Sequence, residues 1–314
     1  METLFFNEVW QPPFTKIRQQ LISRLEEMFS EKFSEKVSII SYIQNTMNPS
    51  ATSLSSMNKT HESIIYDAIK KAINNDKPDA IAIIINSLGG DPHMVDNLVR
   101  TIYEGLEIGK FYTIIPHLAK SAASLLALSS DKIIGGPISE LGPVDPQLVI
   151  PTQPPQLISC NSIRRLFENT IPELTKDKTP QEAALIYSQL PILLYQQAIE
   201  AIEFTKNLVD RLVLKKEKVR SESKETFIKK FLDEPLSHGE VIKLWDLTSI
   251  LKDDSVLILK EDSEEWKILN ELYARSVRHL ELEQPPNAIG LILIESKNSS
   301  FSINVVAHNK AMGK

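Results

Sequence analysis

Apolar residues in this chain recur with two spacings, and the switching between them sketches an order of elements. TKIRQQLISRLEEMFSE carries Ile17, Leu21, Ile22, Leu25 and Met28 on one side of a helix, so it is predicted as a packing helix. VSIISYI, 37–43, reads as a strand, and the polar run NTMNPSATSLSSMNKT after it as a loop. HESIIYDAIKKAINN is again helical, with Ile64, Ile65, Ala68 and Ile69 inward. DAIAIIIN, 79–86, is a short branched apolar run bounded by turn signals, which suits a strand covered on both faces. Val95, Leu98, Val99, Ile102 and Leu106 then follow the helical period over 92–108, and FYTIIP, 111–116, is strand-like. Strand, helix, strand at this spacing is a βαβ unit.

KSAASLLALSS is predicted as a further helix, KIIGG as a strand, and PISELGPVDPQ, with three prolines, as a rigid loop. Beyond 150 the proline-rich PTQPPQ gives way to helical periodicity in SIRRLFEN and in a long stretch over 181–214, which Pro191 should kink or split. ETFIKKFL and EVIKLWDL are shorter helix candidates. VLILK reads as a strand, EEWKILNELYARSVRHL as a helix, and AIGLILIE with SINVVAH as a hairpin around KNSSF. The expected class is α/β.

Composition narrows the function classes. The 314 residues, 42% hydrophobic and 24% charged, suit a folded protein of one large domain with extensions, or of two domains. A net charge of −6 argues against nucleic acid as the main ligand, because counterion release needs a concentrated basic face. No apolar run approaches the roughly 20 residues of a membrane span, and the opening METLFFNEVWQPPF lacks the pattern of a signal peptide. Cys160 is the single cysteine, which excludes an internal disulfide and a cysteine-built structural zinc site. A cytoplasmic protein without metal or cofactor is the expectation.

Seven of the ten glycines fall between 89 and 142, where the chemistry is therefore sought. In INSLGGD the chain leaves a buried strand and enters a helix. Backbone N–H groups near Gly90 are free there to hold an anion or a developing oxyanion, unless the segment is a plain turn. It is neither the G-x-G-x-x-G fingerprint nor a P-loop. Ser121 opens the small-residue helix, so its hydroxyl can face that turn beside the N–H of Ala122; the competing role is an ordinary N-cap. Two N–H groups flanking one carbonyl beside one hydroxyl is what acyl transfer needs. Ser124 is assigned to packing. The G-x-S-x-G elbow of α/β-hydrolases is missing around Ser121.

INSLGGD, AKSAASLLALSSDKI and GPISELGPVDPQ in this order resemble the Clp-protease and signal-peptide-peptidase group of serine peptidases. Within that group LAKSAAS, LGPVDPQ and SHGEVI resemble the serine dehydrogenase proteinase family, over about residues 37–250. The resemblance implies a ClpP/crotonase-like fold of repeated ββα units, a serine peptidase acting on peptides or unfolded proteins, and a homo-oligomer. Carried over by position, it implies Ser121 as nucleophile, Asp145 as the triad aspartate, His238 as the base, and Gly90 with Ala122 as oxyanion hole. Val241 and Asp246 stand where the family has proline and glycine.

Other bases remain in view: Lys206 on the long helix, in a Ser–Lys dyad, and His93 just past the glycine turn. His117, four residues before the serine, stands level with His93 as a rival base, Lys120 is expected to point away, and Asp131 is a lesser alternative to Asp145. The expected organisation is an N-terminal helical extension over 1–36, a peptidase domain over 37–252 and a small C-terminal α/β extension over 253–314. The competing functions are an acyl-thioester (acyl-CoA) hydratase or hydrolase on the same fold, and an inactive assembly or adaptor protein.

Overall fold

The computed structural model describes residues 14–52, 54–150, 156–188, 192–233, 239–284 and 287–306. At its centre lies a seven-stranded sheet. Strands β1 (Val37–Gln44), β2 (Ala80–Asn86), β3 (Lys110–Ile115), β5 (Lys132–Gly135) and β10 (Val256–Ile258) run parallel to one another in that spatial order. On the other side of β1 the hairpin of β11 (Ala288–Ser296) and β12 (Ser299–Val306) adds antiparallel. A second, three-stranded sheet joins β4 (Leu118–Ala119), β6 (Glu140–Leu141) and β9 (Ile242–Lys243), and β7 (Gln147–Ile150) pairs with β8 (Gln156–Ser159) as a hairpin.

The parallel strands are apolar on both faces because helices cover both. In β2, Ala80, Ala82 and Ile84 face helices α1 (Phe14–Phe33) and α8 (Glu264–Leu282), together with Ile22, Leu25, Phe29 and Leu269. Ile81, Ile83 and Ile85 point the other way, toward α2 (Lys59–Asp76), α3 (Pro92–Arg100), α4 (Ala122–Ser129) and the end of α7 (Ile192–Leu212). One strand of β3–β4–α4 lies in each sheet before the helix begins, so this segment is a ββα unit. The expected α/β class and central sheet are the observed ones. Helix α5 (Cys160–Arg165) packs on α7 around a small core of Cys160, Ile163, Ala198 and Ile202, to which α6 (Pro180–Ser188) contributes no buried residue. Among the described residues no helix is long and apolar enough to cross a membrane.

Several elements differ in detail from their predicted outlines. The inward face of α1 is Arg18, Ile22, Leu25, Glu26 and Phe29, rotated from the predicted apolar stripe. Two charged residues can lie inward because each finds a partner: Arg18 donates to Glu295 from Nε at 2.7 Å and Nη2 at 3.1 Å, and Glu26 accepts from the Ile39 N–H at 2.8 Å. Around the rigid proline loop, β6, β7 and β8 are additional short strands. Helix α3 passes into a π-helical turn, Thr101–Gly105. Helices α6 and α7 flank Pro191, and Pro191, like Trp10 and His308, lies outside the described residues. The segments expected as extensions supply α1, α8, β10, β11 and β12, which pack on or pair within the central sheet.

Candidate active site

Parallel strands release their chains at one edge of the sheet, and that edge is where open α/β sheets place their sites. Here β2 ends at Asn86 and the next residue pairs with β4: the Ser87 N–H donates to Leu118 O at 3.1 Å, and the Lys120 N–H to Ser87 O at 2.9 Å. This pairing lays the turn 87–91 against the turn 119–122. The approach is close enough to require glycine. Gly89 has φ +100°, and a Cβ there would stand 2.8 Å from Ser121 Cβ and 2.9 Å from Ala122 N. Gly90 pairs with Met57, and a Cβ on it would stand 2.3 Å from Met57 N.

Ser121 has φ 51° and ψ −121°, a region L-residues rarely occupy, which costs about 1–3 kcal/mol. Its hydroxyl makes no capping bond to α4. The N-cap role is thereby set aside and the oxygen is left for something else. The Ser121 N–H is taken by Pro143 O at 3.2 Å and the Ala123 N–H by Lys120 O at 2.9 Å. Among the described residues, the N–H groups of Gly90 and Ala122 make no hydrogen bond. Helix α4 is buried on every side, so its leucines fix the orientation of this N-terminus. Ser124 is structural, donating to Ala119 O at 2.6 Å and accepting from the Gly142 N–H at 3.0 Å.

The two turns open into a cavity of about 850 Å³ whose lining includes Gly90, Ser121, Ala122, Asp145, His93 and Gly239. Leu88, Val144 and Phe204 give it an apolar wall. Asp145 is buried, and its Oδ1 accepts from Asn161 Nδ2 at 2.7 Å; the same amide reaches Leu232 O at 2.6 Å. Burial, reinforced by the Asp145 carboxylate, pushes the neighbouring Cys160 thiol up to about 12, which makes it inert. His238 lies outside the described residues; Gly239, the next residue, is on the cavity wall.

The alternative bases divide. His93 lines the cavity, its ring 4.4 Å from that of Phe204. Lys206 is not among the residues lining it and pairs with Asp233 at 2.7 Å. His117 hydrogen-bonds Tyr273 at 3.3 Å, and burial lowers its pKa. Asp131 accepts from Tyr103 Oη and the Phe111 N–H, both at 2.8 Å, as a structural turn aspartate would.

Lys120 is the residue whose importance was hidden in the sequence. Its ammonium is buried and donates to Glu140 Oε1 at 2.8 Å, Leu141 O at 3.1 Å and Glu240 O at 3.1 Å. All three N–H bonds are committed, so it is placed as a tie between β6 and the segment after His238 and not as a base. Burial alone would raise the Glu140 carboxyl, but Lys120 and Lys243 outweigh it and hold it below the usual carboxylate range. No local pattern marks Lys120, because its partners lie 20 and 120 residues away.

Comparison with protein families matches residues 3–234 to the family described as ClpP-like SDH-type serine proteinase. No curated protein matches the chain. Similar solved structures include a membrane-bound stomatin-specific protease in complex with a substrate peptide. It is 15% identical, covers 76% of this chain and 96% of its own, and has a TM-score of 0.29. A membrane protease specific for a stomatin homolog from Pyrococcus horikoshii is 18% identical over 68% of this chain and 92% of its own, with a TM-score of 0.24. A protein described as an enoyl-CoA hydratase, from Streptomyces coelicolor, is 12% identical over 79% and 77%, with a TM-score of 0.37.

Proposed function

This chain belongs to the ClpP-like SDH-type serine proteinases, and from that premise we propose that it is an endopeptidase working through an acyl-enzyme on Ser121. In this reading Ser121 Oγ attacks the scissile carbonyl while the His238 imidazole takes its proton. The oxygen that becomes negative receives the N–H groups of Gly90 and Ala122. Collapse of the adduct returns the proton from His238 to the leaving amine, and water then releases the acyl group by the same steps. Asp145 holds the imidazole tautomer and balances the charge it acquires.

The observation that carries this reading is the uncapped Ser121 hydroxyl, held at φ 51° against the Gly89–Gly90 turn beside two uncommitted N–H groups. Support for Asp145 comes from its burial in the wall of the same cavity as Ser121 and Gly239. His93, on that wall, is the competing base.

Labelling by a fluorophosphonate probe tests the proposal. The wild type should be labelled stoichiometrically and Ser121→Ala not at all, with His238→Ala slowing labelling at least about 100-fold as loss of a general base does. Equal labelling of Ser121→Ala would refute the nucleophile. An unlabelled wild type that binds acyl-CoA tightly would favour the acyl-thioester reading instead.

A further inference from the structure

We propose that Gln44 is the positioning residue of the oxyanion turn, accepting the Leu88 N–H itself and orienting the Ser87 hydroxyl that accepts the Gly89 N–H, so that Gly90 presents its own N–H to the cavity. The proposal rests on the reading of Ser121 and Gly90 above. Gln44 closes β1, and the parallel register sets Ile43 opposite Asn86, so Gln44 falls beside Ser87 where β2 leaves the sheet. Its side chain is buried and turned along the turn. Gln44 Oε1 accepts from Ser87 Oγ at 2.6 Å and from the Leu88 N–H at 2.8 Å. Ser87 Oγ in turn accepts from the Gly89 N–H at 3.0 Å. On the far side, the Asp91 N–H is taken by Met57 O at 2.9 Å.

Of four successive N–H groups, three are therefore committed, those of Leu88, Gly89 and Asp91, and Gly90 is the exception among the described residues. The amide end of Gln44 is anchored as well, Nε2 donating to Ser55 Oγ at 2.8 Å. One side chain thus fixes the turn from β1 and from the loop before α2 at once. Without its oxygen, Leu88 N–H and Ser87 Oγ lose their shared acceptor. The turn is then free to re-aim its donors, and preorganisation, on which oxyanion stabilisation depends, is lost. Gln44 touches no reacting atom in this account; it acts through Ser87 and Leu88.

The test compares two probes on the full chain: a leucyl peptide boronic acid, whose adduct with Ser121 places an oxygen in the oxyanion hole, and the carboxamide of the same peptide. Gln44→Leu and, independently, Ser87→Ala should each weaken boronic-acid binding about 10-fold or more, a fraction of what direct loss of a donor costs. Carboxamide affinity should change less than about 3-fold, since ground-state binding does not use the hole. Equal loss for both probes, or retention of the wild-type preference in the two variants, would overturn the role of Gln44. A wild type that binds the boronic acid no better than the carboxamide would instead overturn the Ser121 reading and this proposal with it. Should Gln44→Leu not fold, Ser87→Ala decides alone.

Discussion

Replacing Gly89 by alanine perturbs the contact on which the site is built, and its cost can be worked from geometry. The added Cβ would lie 2.7 Å from Lys120 O, 2.8 Å from Ser121 Cβ and 2.9 Å from Ala122 N, on a residue at φ +100°. Two of these atoms are backbone, so no flexible side chain can step aside. Ordinary contact begins near 3.4 Å, so the two turns must part by roughly 0.5–0.7 Å. Strain at the left-handed backbone contributes about 1–3 kcal/mol and overpacking about as much again, so Gly89→Ala should destabilise by about 2–6 kcal/mol. That is a large share of the ~5–15 kcal/mol that holds a typical domain together.

Misplacement of Ser121 by half an ångström or more should also slow fluorophosphonate labelling about 10-fold or more, given the ~100-fold cost of a 1 Å error. Urea unfolding followed by tryptophan fluorescence measures the first effect and labelling rate the second. Gly105→Ala is the control, because its Cβ meets nothing nearer than 3.8 Å; it should be neutral or stabilise by up to about 1 kcal/mol. If Gly89→Ala matched Gly105→Ala in both assays, the argument that glycine is needed for the approach to Ser121 would be refuted.

Two further outcomes follow from buried charges. Arg18→Leu strands the Glu295 carboxylate inside the protein and should cost about 3–5 kcal/mol in urea unfolding; adding Glu295→Leu should recover at least half, and a double variant no better than the single would disprove the stranded-charge account. Lys218 donates to Ser130 O at 2.6 Å, and burial pushes its ammonium down to about 7 from 10.5. Because the folded pKa is the lower one, the unfolded chain binds more protons between pH 7 and 10.5, so stability rises with pH across that window. Lys218→Met should flatten that rise between pH 7 and 9, and an unchanged slope in urea midpoints would contradict the assignment.

What could be read from the sequence was what short-range pattern encodes. Branched apolar runs marked β1, β2 and β3, and small residues around Ser121 marked a place where backbone must be approached. Polar residues that act across the fold were invisible. Gln44 looked like the last residue before a loop, and its role exists only because the parallel register brings Ser87 beside it. Lys120 was expected to point away from Ser121; its ammonium is bound by the Glu140 carboxylate and the Glu240 carbonyl, partners distant in sequence. Arg18 and Glu26 interrupt the apolar stripe of α1 because their partners, Glu295 and the Ile39 N–H, belong to other elements. Lys206, plausible as a helix lysine with a free amine, is spent on Asp233.

The pairing of β1 with β11 also sets a clock on synthesis. Ser41 finds its partner Glu295 only after some 250 further residues have been added. At about 5–20 residues per second that delay is roughly 10–50 s. During it, β1 holds one side open and Arg18 has no Glu295 carboxylate to meet. Sheet closure is thus a late event in the life of each new chain, and a ribosome that pauses within that interval prolongs the time in which a foreign strand can occupy the place reserved for β11.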